Sequence, residues 1–155
     1  MTPRPAARPT LRLPAFVPFR LNRLADAVSE HLAAIYRGRS ALEIPEWRII
    51  ATVGQERGCT AQFIAASTRM HKTRVSRAIA QLLTRGLIER AASPHDRRAM
   101  QLRLSAAGRR LYLQLVPLAL AREEELLGCL SVPERRAFLA ALARLESHLK
   151  LRGSD

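Results

Sequence analysis

A chain of 155 residues with 48% hydrophobic content can bury a core of its own, and 26 Lys or Arg against 13 acids leave it at +13. That composition excludes a wholly disordered polypeptide and points to a polyanionic partner. The longest weakly polar run, Leu111 to Ala121, is broken by Gln114 and Pro117 and is too short for a bilayer, and the N-terminus has no apolar export segment. No membrane partner and a cytoplasmic location are therefore expected.

In chain order, residues 1–14 mix Pro3, Pro5, Pro9 and Pro14 with Arg4, Arg8 and Arg12 and read as a flexible basic arm. A single domain follows over 15–155. Val17, Leu21, Leu24, Val28, Leu32 and Ile35 recur at helical spacing and line one face of a long first helix from Ala15 that ends at Gly38. Pro45 opens a second helix carrying Trp47, Ile50 and Val53, with Gly54 and Gly58 marking its close. Thr60 can cap a short third helix through Ser67, and after a turn at Thr68 to Met70 a fourth runs from His71 to Arg85, stopped by Gly86.

Two short strands come next, Leu87 to Ala91 and Ala99 to Leu104, joined by a turn starting at Ser93-Pro94. Ser105 can cap a fifth helix to Leu127, bent where Pro117 lacks an amide, and Ser131-x-x-Glu134 is a capping box for a last helix with Phe138, Leu142, Leu145 and Leu149 on one side. The fold class is thus mainly α with a small β-wing: a winged helix-turn-helix over 45–104, flanked by helical segments at 15–39 and 105–150. The apolar stripes of those end helices need a cover, and packing on each other and on a second subunit is the economical one.

Charge is concentrated on the central unit. Ala61 to Arg110 holds eleven Lys or Arg against Glu89 and Asp96, a surplus of nine. On the fourth helix Val75, Ile79 and Leu82 form the inward stripe, which leaves Lys72, Thr73, Ser76, Arg77 and Gln81 on the opposite side, with Arg74 in the same acid-free run. Donors and short polar groups on one helix suit base edges and phosphates in a major groove. At the wing tip, Asp96 can anchor the loop while Arg97 or Arg98 enters a narrow minor groove.

Val75-Ser76-Arg77, Arg85-Gly86-Leu87-Ile88, Asp96-Arg97-Arg98, Leu102-Arg103-Leu104-Ser105 and Gly108-Arg109 resemble the multiple antibiotic resistance regulator (MarR) family of winged-helix repressors, over residues 16 to 150. The resemblance implies a homodimer built by the first, fifth and sixth helices, the fourth helix as recognition helix, Arg97 or Arg98 as the minor-groove residue, and a small-molecule pocket between dimer region and DNA-binding lobe. Arg69 stands where such turns often have glycine.

For that pocket the candidates are His31, Tyr36, Trp47 and Arg48: two flat apolar walls and two groups that could face an anion, which suits an aromatic carboxylate or its coenzyme A thioester. No metal site or cofactor is expected, since His31, His71, His95 and His148 show no paired ligand spacing. Neither a phosphate-binding glycine loop nor a nucleophile elbow is present, so an enzyme is not expected either. Cys59, just before a helix start, carries an outside reading as a redox sensor; small buried hydrophobe is the alternative. The sequence reading is a ligand-released repressor on a pseudo-palindromic duplex operator; its rival is a nucleoid or RNA-binding protein without sequence choice or effector.

Overall fold

A computed structural model of the chain describes residues 10–92 and 100–151. It divides into two compact units, 1–31 and 32–155, with the boundary inside the first helix. Among the described residues, six α-helices and a two-stranded antiparallel sheet follow one 3-10 turn, Leu13–Ala15.

Helix α1 is Val17–Ser40. It passes through Gly38, which meets no neighbour, and stops two residues later at Ala41, held at φ 48. There the Leu42 amide bonds back to the Tyr36 carbonyl (3.4 Å) and the Ser40 hydroxyl to the same oxygen (2.7 Å). Both bonds occupy one of the carbonyls that a helix end otherwise leaves unpaired.

Helix α2, Ile44–Glu56, starts where the Glu43 amide donates to the Glu46 carboxylate at 2.8 Å and Pro45 fills a first-turn position that needs no amide donor. It does not close at Gly54. That glycine lies inside the helix because the Tyr112 ring passes so close that a Cβ would stand 2.8 Å from it, and the stop falls to Arg57 at φ 55. Helix α3, Ala61–Thr68, is capped by Thr60, whose hydroxyl accepts the Phe63 amide (3.1 Å). Helix α4, Lys72–Thr84, begins at His71, and Gly86 at φ 64 ends the segment as expected of a residue without a Cβ.

Strands β1, Ile88–Ala92, and β2, Met100–Leu104, pair from Ile88 with Leu104 to Ala92 with Met100. A third stretch joins them: Cys59 and Leu102 exchange backbone bonds of 3.1 and 2.8 Å, tying the start of α3 to the wing. Of the alternating set in β2, Leu102 is buried while Met100 stands exposed toward the wing tip. Helix α5, Ala106–Leu127, is capped by the Ser105 hydroxyl on the Gly108 amide (3.0 Å) and runs on through Pro117. Helix α6 is Val132–His148, where Glu134 reaches back to the amide (2.8 Å) and hydroxyl (2.6 Å) of Ser131; these bonds hold its carboxyl below the usual range.

The core of the larger unit gathers Leu42, Ile49, Ile50 and Val53 from the α2 region, Ile64 from α3, Val75, Ala78, Ile79 and Leu82 from α4, Ile88 and Leu102 from the strands, and Leu115 from α5. Helix α2 is the hub, packing on α3, α4, α5 and β2. Helix α6 buries no residue at all, and its link to α5 is polar: Arg135 grips both oxygens of Glu124 at 2.5 and 2.6 Å, which holds that carboxyl below its usual range. No helix is long and apolar enough to cross a membrane among the described residues.

Candidate nucleic-acid interface

Helix α4 positions the polar groups singled out in the sequence. With Val75, Ala78, Ile79 and Leu82 buried on one side, Lys72, Thr73, Arg74, Ser76, Arg77 and Gln81 all come out exposed. The 100° step between residues splits them into two flanks. Lys72 and Ser76 border a groove of about 550 Å³ shared with Gln62 and Ala65 of α3 and Arg90 of β1. Thr73, Arg74, Arg77 and Gln81 border another, of about 530 Å³, shared with Pro45 and Arg48 of α2 and with Arg69 and Met70 of the turn. The helix therefore stands proud between two basic-rimmed grooves.

What fixes the far end of α4 was not legible in the sequence. The Arg85 guanidinium bonds the Ala41 carbonyl (3.1 Å) and the Ser40 carbonyl and sits 3.7 Å from the buried Glu46 carboxylate. One side chain thus ties the C-terminus of α4 to the α1–α2 connection and to the first turn of α2. Arg85 counts toward the basic surplus by sequence but is spent on this internal clamp. The only advance signal was its place next to the helix-stopping Gly86, which says nothing about partners 39 to 45 positions earlier.

The turn before α4 carries Arg69 in the left-handed conformation at φ 55. Backbone sterics make that costly for any residue with a Cβ, so the turn forms without glycine at a cost of about 1 kcal/mol. Asp96, Arg97 and Arg98 of the wing tip, His95 and the Ser93-Pro94 turn lie outside the described residues, as do the arm residues 1–9 and 152–155.

Of the four effector candidates, two are brought together. Tyr36 and Trp47 stack with ring centres 5.6 Å apart and planes 21° from parallel, Tyr36 being fully covered. Arg48 lies instead on the α4-facing groove, and His31 is exposed at the end of the other unit. Cys59 is buried, and desolvation, helped by the Glu56 charge, pushes its thiol up to about 11. The helix-terminus argument for a reactive thiolate loses to burial, which keeps the Cys59 thiol protonated at neutral pH.

An exposed cationic helix set on a compact helical lobe, with a paired two-stranded wing behind it, defines a winged-helix DNA-binding protein. Residues 42–99 match the MarR family model. The chain is 23% identical over 136 residues to the transcriptional regulator HosA of Escherichia coli O157:H7, spanning 88% of this chain and 97% of that protein. The crystal structure of a MarR/EmrR family regulator from Acinetobacter sp. ADP1 superposes with a TM-score of 0.81 at 24% identity, covering 90% and 99% of the two chains. BpsR of Bordetella bronchiseptica, whose structure concerns regulation of DNA binding by 6-hydroxynicotinic acid, gives 0.73 at 20% identity over 89% and 98%. The chain thus has the fold of MarR-family transcriptional regulators, with the family model matched over its central lobe.

Proposed function

We propose that the protein is a homodimeric repressor that binds a pseudo-palindromic duplex operator and is released by a small aromatic carboxylate or its coenzyme A thioester. The observation that carries the DNA half is the presentation of α4: six polar or cationic side chains exposed on one helix whose other side is locked in the core. Lys72, Arg74 and the wing residues Arg97 and Arg98 are assigned to phosphates and the minor groove, with Asp96 as the loop anchor. Thr73, Ser76, Arg77 and Gln81 are assigned to base edges.

Dimerisation is supported by what the single chain leaves bare. Phe138, Leu139, Leu142 and Leu145 of α6, Leu149 at its C-cap, and Leu113 and Leu120 of α5 are exposed, a set of apolar side chains that a monomer rarely leaves bare. Two-fold pairing of such helices sets two copies of α4 at a fixed spacing, which must match successive major grooves about 34 Å apart.

The effector half rests on the stacked Tyr36–Trp47 pair. An aromatic acid that inserts beside it would act on the adjoining Ser40–Ala41 carbonyls, which Arg85 holds, and so on the end of α4. That a fold relative is regulated by 6-hydroxynicotinic acid is consistent with this ligand class. Residues 1–14 are assigned to a basic arm, 45–104 to the DNA lobe, and 15–39 with 105–150 to the dimer.

The test uses a duplex selected from a random-sequence library by the wild-type protein. Arg77→Ala should weaken binding by about 1–3 kcal/mol and relax preference at one position, and aromatic acids titrated into the complex should dissociate it. Equal affinity for selected and random duplex would instead favour the nucleoid-type rival.

A further inference from the structure

The first turn of α4 is held differently from the rest of the helix. Met70 before it and Val75 within it are buried, while the residues between them, His71, Lys72, Thr73 and Arg74, are all exposed. Burial therefore does little to fix this turn, and no acid stands in it to offset the positive end of the helix dipole. What fixes it is a side-chain cap: His71, in extended backbone conformation at φ -63 and ψ 139, accepts the Thr73 amide on Nδ1 at 3.3 Å.

An imidazole is an unusual choice for a position that favours Ser, Thr, Asp and Asn. The hydroxyls of Thr60 and Ser105, which cap α3 and α5, keep their lone pairs whatever the acidity near neutral pH. A ring nitrogen accepts only while it carries no proton, so the His71 cap requires the neutral ring with its hydrogen on Nε2. Histidine is also the side chain that changes charge between about pH 5 and 8.

The surroundings add to the effect of that change. His71 borders the groove on the α2 side of α4 together with Arg69 of the turn, Arg74 and Arg77 of α4, and Arg48 of α2, which has its own interaction within the chain. The carboxylates of this groove are held elsewhere, Glu43 by Arg37 and the buried Glu46 by Arg85. A protonated His71 loses the Thr73 amide and sets a positive charge among cations, at the positive end of the helix dipole. The cap thus contributes at neutral and alkaline pH, and its contribution is lost as pH falls.

We infer that His71 positions the recognition helix for sequence choice and makes that choice sensitive to pH. The neutral ring keeps the first turn helical, so that Thr73 meets a base edge in fixed register; protonation frays Lys72 to Arg74 and relaxes discrimination. Attraction to phosphate does not fall with it, because protonation adds a positive charge. Acid therefore exchanges specific for non-specific binding. The inference rests on the DNA-binding reading of α4 and adds a control on it that lies in one side chain.

The experiment measures, by fluorescence anisotropy at constant ionic strength, the affinities of a duplex selected at about pH 8 and of a random duplex, from that pH down to about pH 5.5. Their ratio cancels the phosphate attraction common to both. For wild type the ratio should fall roughly 2- to 30-fold for each copy of α4 engaged, the range expected for loss of an N-cap. His71→Ser, with a hydroxyl cap, should keep its ratio across the range, and His71→Ala should show the low ratio throughout. Because His71→Ser retains His31, His95 and His148, acid effects from those residues or from general unfolding stay visible in it. In the free protein, the helical Cα shifts of Lys72, Thr73 and Arg74 should move toward coil values by NMR as the His71 ring protonates. A wild-type ratio that ignores pH, an equal acid loss in His71→Ser, or helical shifts unchanged by ring protonation would each overturn the switch while leaving α4 as the DNA helix. If wild type prefers no sequence at any pH, the recognition reading of α4 falls and the switch with it.

Discussion

Helices α4 and α6 are both amphipathic, yet they stand in opposite situations. Helix α4 hides Val75, Ala78, Ile79 and Leu82 in a core assembled from six other elements, whereas α6 hides nothing and presents Phe138, Leu142 and Leu145 to solvent. The same periodicity therefore states only that a surface must be covered. Whether the cover comes from the same chain depends on whether neighbouring elements converge, and around α6 they do not: its anchor to α5 is the Arg135–Glu124 pair, an exposed ion pair of small net value.

The sharpest way to break this comparison is to cut one side chain from each helix. Leu82→Ala, at a site with no exposure, should cost about 3 kcal/mol through lost burial and a residual cavity, independent of protein concentration. Leu145→Asp should leave the lobe folded but shift sedimentation from dimer to monomer and reduce affinity for a two-half-site operator by about 100-fold, the gain that linking two sites supplies. A Leu145→Asp protein that sediments and binds like wild type would mean that α6 is covered by something other than a second copy.

The next contrast lies between two glycines. A Cβ at Gly108 would stand 1.8 Å from the Leu87 carbonyl oxygen, where the first turn of α5 is pressed against the residue leading into β1. Because backbone is on the other side of that contact, Gly108→Ala should cost about 3 kcal/mol by urea denaturation. Gly38 is helical and meets nothing within 4 Å, so Gly38→Ala should raise stability by about 0.5–1 kcal/mol. Equal effects would mean that α5 does not pack on Leu87 as closely as the structure places it.

Those glycines also explain what the sequence conveyed and what it withheld. Caps at Thr60, Ser105 and Ser131, the inward stripe of α4 and the stop at Gly86 were legible because each depends on a few neighbouring residues. Reading Gly38 as a stop misplaced the end of α1, where Ala41 makes the turn, whereas α2 ends between Gly54 and Gly58, at Arg57 in left-handed conformation, and Gly54 serves a long-range contact with Tyr112. The exposed cationic set on α4 followed from periodicity. The Arg85 clamp and the placement of Arg48 across from α4 depend on how α2 and α4 pack, and no local pattern encodes that.

The last contrast separates the two cysteines, Cys59 and Cys129. Cys59 lies in the core of the lobe with its thiol raised from 9.0 to about 11, while Cys129 is exposed at the end of α5. Since the thiolate is the reacting species, a two-unit rise cuts its fraction by about 100-fold at pH 8, before access is considered. Iodoacetamide at that pH should therefore label Cys129 within minutes and leave Cys59 intact until the lobe opens, as peptide mass mapping would record. The sign for stability follows from the same shift. Burial of the neutral thiol contributes fully below pH 9, the unfolded value, and that contribution is lost as pH rises through about 11. Cys59→Ser should remove the alkaline loss while placing a hydroxyl in an apolar site, lowering the midpoint at pH 7 by about 1–3 kcal/mol equivalent. Labelling of Cys59 as fast as Cys129 in the folded protein would show that the joint between α3 and β2 opens readily, and would return this thiol to consideration as a sensor.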